Sequence, residues 1–113
     1  MAQDTKNFKV SEFACKHCGK NLIDQKVLNM AQELRDYLGV PINVNSGYRC
    51  EVHNAKVGGV KGSKHTFGKA ADLACSLGSA KMFQAVKELR EQGKLKDLDY
   101  CIKYKTFIHI DCG

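Results

Sequence analysis

Two stretches of the chain carry apolar residues at helical spacing. The first begins at Asp24, a residue type that favours helix N-caps, and ends at Gly39, beyond which Pro41 prevents the helix from resuming. The second runs from Ser79, the predicted cap, through Gln92. The apolar positions of both recur at steps of three and four residues: Val27, Leu28, Ala31, Leu34 and Leu38 in the first, and Met82, Phe83, Val86 and Leu89 in the second. The pattern therefore predicts two main helices.

Short alternating or apolar runs predict strands between and after these helices. "PINVNSGYR" is typical of a short strand that breaks at Ser46-Gly47, and "KAADLAC" of a buried strand rich in small residues. "DLDYCIKY" and "TFIHIDC" alternate and nearly adjoin, so they predict a β-hairpin. The glycine-rich segment from Glu51 to Lys64 is predicted to be a loop with room for one helical turn. The predicted fold class is α+β, with two main helices packed on a small, mostly antiparallel sheet.

Length and composition predict a single domain over residues 1–113, because 113 residues support one hydrophobic core but not two. Residues 1–23 are predicted to be an irregular lead-in. The chain has no apolar run of about eighteen residues, so no membrane span is expected. Its first ten residues lack the apolar core of a secretory signal. We expect a monomer.

The net charge of +6 suits an anionic partner: nucleic acid, anionic lipid or an anionic cell wall. A solvated, lysine-rich surface is the more ordinary explanation, since the lysines are spread along the chain. The charge and the motif "CKHC" also suggest a nucleic-acid-binding zinc ribbon, but it is disfavoured because the chain has almost no aromatic–basic interleaving and lacks a basic recognition helix. No nucleic-acid partner is therefore predicted.

Two histidines and an aspartate form the main candidate site. His65 precedes the predicted strand that contains Asp72, and His109 lies in the last strand. Two histidines and one carboxylate are a common ligand set for a zinc ion that keeps one position open for water. Spacing alone leaves ordinary alternatives, namely a surface or core histidine and an aspartate that caps a turn.

Four motifs, "SGYRC", "HNAKVGG", "SKHTFGKAADL" and "FIHID", occur in an order that resembles the zinc D-alanyl-D-alanine carboxypeptidase family. That family shares its fold with the zinc domain of hedgehog proteins. The likeness extends from about Phe8 to Gly113 and implies a hedgehog/D,D-peptidase-like fold. The implied Zn²⁺ ligands are His65, Asp72 and His109.

The resemblance implies a zinc-dependent peptidase that hydrolyses peptidoglycan stem peptides by attack of zinc-activated water. It would be a D,D-carboxypeptidase or a murein endopeptidase. The family's substrate-contacting arginine corresponds to Arg49, which would bind a carboxylate or stabilise an oxyanion, with a structural salt bridge as its alternative role. Ser63 would bind substrate or cap a turn. Action at the bacterial cell wall is expected, either after release from the cytoplasm by a holin, as for a phage endolysin, or as a mature form.

One part of the family pattern is missing. Many members carry an acid three residues before the last ligand, or a histidine two residues before it, and these positions hold Thr106 and Phe107. Asp111 lies on the same strand face as His109 and is predicted to be the catalytic base or a residue that orients a ligand. The reserve acids are Asp99 and Glu51. The alternative function is a catalytically silent zinc domain that binds cell-wall peptide or a protein partner.

The six cysteines suggest a second site near the N-terminus. Cys15-x-x-Cys18 and Cys50-x-x-His53 both have zinc-knuckle spacing, so together they predict a structural Cys3His metal site. A local disulfide and ordinary buried thiols are the alternatives. His17, inside the knuckle, is predicted to be exposed rather than ligating.

The other three cysteines lie in predicted strands. Cys101 and Cys112 belong to the two hairpin strands, an arrangement that allows them to face each other. Cys75 is predicted to act as a small hydrophobic residue.

Overall fold

The computed structural model describes residues 2–113. Its helices and strands within that range are α1 (Gln25–Leu38), β1 (Ile42–Ser46), α2 (Glu51–Lys56), β2 (Ala70–Cys75), α3 (Ser79–Glu91), β3 (Leu98–Lys103) and β4 (Ile108–Cys112). Short 3-10 helices occupy Val10–Phe13 and Lys64–Phe67. The predicted α+β class is confirmed, with α1 and α3 as the two main helices and α2 as a short third helix in the segment predicted to be mostly loop.

The described strands form one antiparallel sheet in the order β1-β2-β4-β3. β3 and β4 form the predicted hairpin, and β2 lies between β4 and β1. This register places Asp72 directly opposite His109 on one side and opposite Ser46 on the other. The sheet therefore brings together residues that are far apart in the sequence.

Helix α1 has the predicted ends. The Asp24 side chain accepts a hydrogen bond from the backbone N–H of Lys26 at 2.9 Å, so it caps the first turn. Gly39 ends the helix in the left-handed conformation with φ of 70°, which costs glycine little.

Helix α3 begins differently from the prediction. The N-cap is Gly78 rather than Ser79, because the chain enters the helix at Gly78 with φ of 89°, a conformation that favours glycine. Ser79 is the first helical residue, and its hydroxyl donates to the Lys105 carbonyl at 3.1 Å instead of capping the helix. Gln92 is the C-cap, so the helix ends one residue earlier than predicted.

The hydrophobic core includes part of the N-terminal lead-in as well as the sheet and the two main helices. Phe8 and Phe13 are only 2% and 0% exposed, and Ile23 is also buried in the core cluster. Burial of each of these side chains contributes about 1.5–3 kcal/mol. The lead-in has little regular structure, but it is anchored by apolar packing that its aperiodic sequence did not reveal.

The hairpin register contradicts the expectation that Cys101 and Cys112 face each other. Cys101 lies opposite Ile110, and Cys112 lies opposite Leu98. The cause is the position of the turn, since the backbone N–H of Tyr104 bonds to the Phe107 carbonyl at 2.9 Å and centres the turn on residues 105–106. All six cysteines are free thiols.

No helix in the described part of the chain has both the length and the apolar character that a bilayer span requires.

Candidate active site

Three separate elements supply the predicted metal ligands. His65 lies in the 3-10 helix before β2, Asp72 in β2 and His109 in β4. Their ligating atoms all lie within 4.8 Å of one another. His65 and Asp72 are buried, and His109 is partly buried. The structure therefore brings the predicted trio together at the centre of the sheet.

Both histidines approach the same oxygen of Asp72. His65 Nε2 lies 3.2 Å and His109 Nδ1 lies 3.1 Å from Asp72 Oδ1. The other oxygen, Oδ2, accepts a hydrogen bond from Arg49 at 3.0 Å. One buried carboxylate is therefore the point at which all three side chains meet.

In each histidine, the ring nitrogen that does not face Asp72 fixes the tautomer. His65 Nδ1 lies 2.8 Å from the Gly47 carbonyl oxygen, which can only accept, so we assign the proton to Nδ1. His109 Nε2 lies 2.8 Å from Asp111 Oδ2, and we assign its proton to Nε2 for the same reason. In these neutral forms the lone pairs of His65 Nε2 and His109 Nδ1 point at the lone pairs of Asp72. Such an arrangement requires a cation between the groups, either protons or a metal ion, and this donor set fits a metal ion.

The ionisation of these groups follows from the same contacts. Burial of Asp72 opposes its ionised form, but the His109 and His65 rings, which in their protonated forms donate to the carboxylate, outweigh that effect and lower the pKa of the carboxyl to about 2. Burial lowers the pKa of His109, but Asp72 and Asp111 together outweigh it and raise that pKa above its usual value. Asp72 is therefore a carboxylate at neutral pH, as a metal ligand must be.

Arg49 is held by three hydrogen bonds. Nε donates to Ser46 Oγ at 2.9 Å, one terminal nitrogen donates to Asn54 Oδ1 at 3.3 Å, and the other donates to Asp72 Oδ2 at 3.0 Å. Because a guanidinium has five N–H groups, these contacts use three of them. Arg49 also lines the cavity together with the predicted metal ligands. The structural salt bridge and a contact with substrate are therefore compatible roles for Arg49.

Ser63 is a capping residue in this structure. Its hydroxyl oxygen accepts the backbone N–H of His65 at 3.3 Å and caps the 3-10 helix that carries this ligand. Ser63 also lines the cavity, so its predicted contact with substrate remains a prediction.

Asp111 lies beside His109, as strand alternation predicted. The carboxylate is buried, and it accepts His109 Nε2–H through one oxygen and the backbone N–H of Tyr100, at 3.0 Å, through the other. These contacts suit a residue that orients His109 better than one that takes a proton from water. The reserve acids Asp99 and Glu51 are exposed and lie outside the cavity lining.

A cavity of about 620 Å³ opens beside the ligands. Its lining includes the polar side chains of Arg49 and the predicted metal ligands. It also includes apolar or aromatic side chains: Val57, Val60, Ile102, Tyr104 and Phe107. Tyr104 and Phe107 stack with ring centroids 4.7 Å apart. These side chains were not predicted from the sequence to line the cavity, although the pair of aromatic residues flanking the hairpin turn was an available signal.

Asn54 also has a role at the site that was not predicted from the sequence. It is only 4% exposed, its side-chain oxygen accepts from Arg49, and its side-chain nitrogen donates to the Val60 carbonyl at 2.9 Å. Asn54 therefore links the guanidinium of Arg49 to the glycine-rich loop at the edge of the cavity. The signal was its position inside the "HNAKVGG" motif.

The predicted N-terminal ligands are only partly brought together. The sulfur atoms of Cys15, Cys18 and Cys50 lie within 4.8 Å of one another. His53 instead uses its backbone N–H, which donates to Cys50 Sγ at 3.4 Å. His17 is exposed, as predicted, but its Nδ1 lies 3.6 Å from Cys50 Sγ.

The Cys15 thiol has an unusual environment for a buried residue. Burial raises its pKa, but hydrogen bonds from the backbone N–H groups of Cys50, Cys18 and His17 outweigh that effect and lower the pKa to about 6. Cys75, by contrast, is partly buried against the hydrophobic core, as expected for a small apolar residue.

The fold and the ligand trio together define a small α+β domain with a metallopeptidase-like His–Asp–His centre. Residues 6–111 match the model of the peptidase M15 family, and the chain therefore belongs to that family. It is also 43% identical over 58 residues to the zinc D-Ala-D-Ala carboxypeptidase of Streptomyces albus G. That match covers 50% of this chain and 23% of the relative's length. The family predicted from the motifs is confirmed.

Gly47, whose carbonyl oxygen accepts from His65, packs closely against Phe13, and this contact leads to a prediction about stability. A Cβ atom at this position would lie 2.5 Å from the Phe13 carbonyl oxygen and 2.7 Å from Phe13 Cα. We expect Gly47→Ala to lower the free energy of unfolding by about 1–3 kcal/mol, because the lead-in must move away from the turn. Gly113→Ala is the matched control, since its added Cβ meets nothing within 4 Å. Chemical denaturation measures both variants, and wild-type stability in Gly47→Ala would show that this close approach is absent in solution.

Proposed function

We propose that this domain is a zinc peptidase that hydrolyses peptidoglycan stem peptides at the bacterial cell wall. The observation that carries the proposal is the convergence of His65 Nε2 and His109 Nδ1 on one buried Asp72 oxygen, in the wall of a cavity. Membership of the peptidase M15 family supports peptide hydrolysis. The relative named a zinc D-Ala-D-Ala carboxypeptidase supports both the metal and the substrate class.

The zinc ion would be held by His65, Asp72 and His109. When bound, it would supply the Lewis acid that polarises a peptide carbonyl and makes water nucleophilic at neutral pH. The carbonyl of Gly47 orients His65, and Asp111 orients His109, so each ring would present a single nitrogen to the metal. Ligand geometry is thus fixed by groups around the site before substrate arrives.

Arg49 would bind the substrate next to the metal ligands. Ser46, Asn54 and Asp72 hold its guanidinium in one orientation, and the N–H groups that these contacts leave over suit a peptide carboxylate or a developing oxyanion. Because Arg49 is held in place before binding, little conformational entropy is lost when substrate arrives.

The cavity suits a short peptide with small side chains. Its apolar wall, formed by Val57, Val60, Ile102 and the stacked pair Tyr104 and Phe107, would contact alkyl groups such as the methyl of alanine. The net charge of +6 would favour approach to an anionic wall. These features fit both a D,D-carboxypeptidase and a murein endopeptidase, which differ in the bond that is cut.

A catalytically silent zinc domain that binds wall peptide or a protein partner is the second candidate. The observation in its favour is that the two acids lining the cavity, Asp72 and Asp111, are both engaged by neighbouring groups. A hydrolytic site needs a group that accepts a proton from water, so the two candidates differ in whether bound peptide is cut.

The direct test is incubation of the zinc-loaded protein with defined muropeptides, followed by mass spectrometry. A pentapeptide stem ending in D-Ala-D-Ala and a cross-linked dimer should be offered separately. We expect loss of one terminal alanine from the first or separation of the second, and we expect chelation or His109→Ala to abolish it. His53→Ala is the matched control and should retain activity, because the His53 ring lies outside the trio. Zinc binding without cleavage of any muropeptide would favour the silent domain.

The role of Asp111 generates a separate prediction. Asp111→Asn removes the charge that faces His109 Nε2, so zinc affinity at this site should fall by about 10–100-fold, and saturating zinc should restore most of the rate. Asp99→Asn, an exposed acid on β3, should leave affinity and rate unchanged. Zinc titration, together with kcat measured at saturating zinc, distinguishes a residue that orients His109 from a catalytic base. Unchanged affinity with a rate about 10²–10⁴-fold lower would instead identify Asp111 as the catalytic base.

A further inference from the structure

A second cluster of metal-binding side chains lies outside the proposed active site. The sulfur atoms of Cys15, Cys18 and Cys50 approach within 4.8 Å of one another. The proposed peptide hydrolysis uses none of them. A disulfide would join two of these sulfurs and leave the third beside it, whereas one zinc ion can bind all three.

The backbone around these cysteines forms a tight turn and directs N–H groups at the sulfur atoms. Gly19 N–H donates to the Cys15 carbonyl at 2.9 Å, and Cys15 N–H donates to the Lys20 carbonyl at 2.7 Å, so residues 15–20 close into a tight turn. Cys50 N–H donates to Cys15 Sγ at 3.4 Å, and His53 N–H donates to Cys50 Sγ at the same distance. Amide donors of this kind stabilise thiolates, which are the form of cysteine that binds metal.

Of the two neighbouring histidines, His17 rather than His53 brings a ring nitrogen close to one of these sulfurs. His17 Nδ1 lies 3.6 Å from Cys50 Sγ. On one tetrahedral zinc ion, with Zn–S of about 2.3 Å and Zn–N of about 2.0–2.1 Å, a nitrogen and a sulfur are about 3.6 Å apart. The His53 ring lies nearly parallel to that of His17, with centroids 6.2 Å apart, and His53 contacts the cluster through its backbone N–H, which donates to Cys50 Sγ.

We propose that Cys15, His17, Cys18 and Cys50 bind a second, structural zinc ion. Four protein ligands close the coordination shell, so this zinc would have no position open for substrate. The site would join the lead-in to the turn at residues 47–50.

That turn matters for the first site. Tyr48 N–H donates to the Phe13 carbonyl at 2.8 Å, and Arg49 N–H donates to the His65 carbonyl at 3.0 Å. Cys50 follows Arg49 directly, so a metal bound at Cys50 would fix the backbone that carries the proposed substrate-binding arginine. The second zinc would therefore act as a support for the active site.

Cobalt(II) substitution of the apoprotein tests the proposal without any measurement of hydrolysis. The wild type should bind two equivalents, and one of them should show intense thiolate-to-cobalt charge-transfer absorption. Cys50→Ser and the milder Cys18→Ser should each remove this absorption and one equivalent, whereas His109→Ala should remove the other equivalent and keep the absorption. Cys75→Ser is the control and should behave as the wild type. Absence of charge-transfer absorption in the wild type, or a native mass lower by two hydrogens from a disulfide, would overturn the proposal.

A comparison of His17→Ala with His53→Ala tests which histidine is the fourth ligand. His17→Ala should weaken cobalt and zinc binding at the cysteine site by more than the roughly 10–100-fold that loss of an outer-shell partner costs. His53→Ala should leave this affinity near that of the wild type. The reverse order of effects would assign the fourth position to His53. Because the spectrum reports thiolate ligation alone, failure here would leave the proposed peptidase intact, and failure of muropeptide cleavage would leave this site intact.

Discussion

The buried carboxylate of Asp72 lies within 3.2 Å of nitrogen atoms from Arg49, His65 and His109. A charge in such a position is costly unless it is paired and hydrogen-bonded, and here every partner comes from a different part of the chain. The sheet register sets Asp72 opposite His109, and the turn after β1 delivers Arg49. The arrangement of the site therefore depends on the pairing of β2 with both of its neighbours.

The second constraint is the attachment of the N-terminal lead-in to the turn at residues 47–50. Gly47 approaches Phe13 too closely for any side chain, while its carbonyl oxygen accepts His65 Nδ1–H. Three features hold the lead-in against this turn. They are the burial of Phe13, the hydrogen bond from Tyr48 N–H to the Phe13 carbonyl, and the proposed cysteine site. A segment with little regular structure thus supports the orientation of His65, a proposed metal ligand.

The sequence was most informative where a pattern is local. Apolar periodicity located α1 and α3 and alternation located the hairpin, because those signals depend on neighbours a few residues apart. Features that depend on distant segments were not predicted correctly. The cross-strand partner of Cys101 and the role of the Ser79 hydroxyl were predicted wrongly, and the packing of Phe13 was missed. The ligand trio was identified from family motifs, since spacing alone left ordinary alternatives open. The opposite tautomers of the two histidines, and the nearness of His17 to Cys50, required three-dimensional geometry.

The central claim is that His65 and His109 present different ring nitrogens to one metal ion shared with Asp72. Long-range proton–nitrogen NMR of the zinc-loaded protein measures this directly, because it distinguishes protonated from metal-bound nitrogens in each ring. The account predicts a proton on Nδ1 and metal on Nε2 of His65, and a proton on Nε2 and metal on Nδ1 of His109. Metal bound through the other nitrogen of either ring, or spectra of both rings that do not respond to zinc, would contradict it.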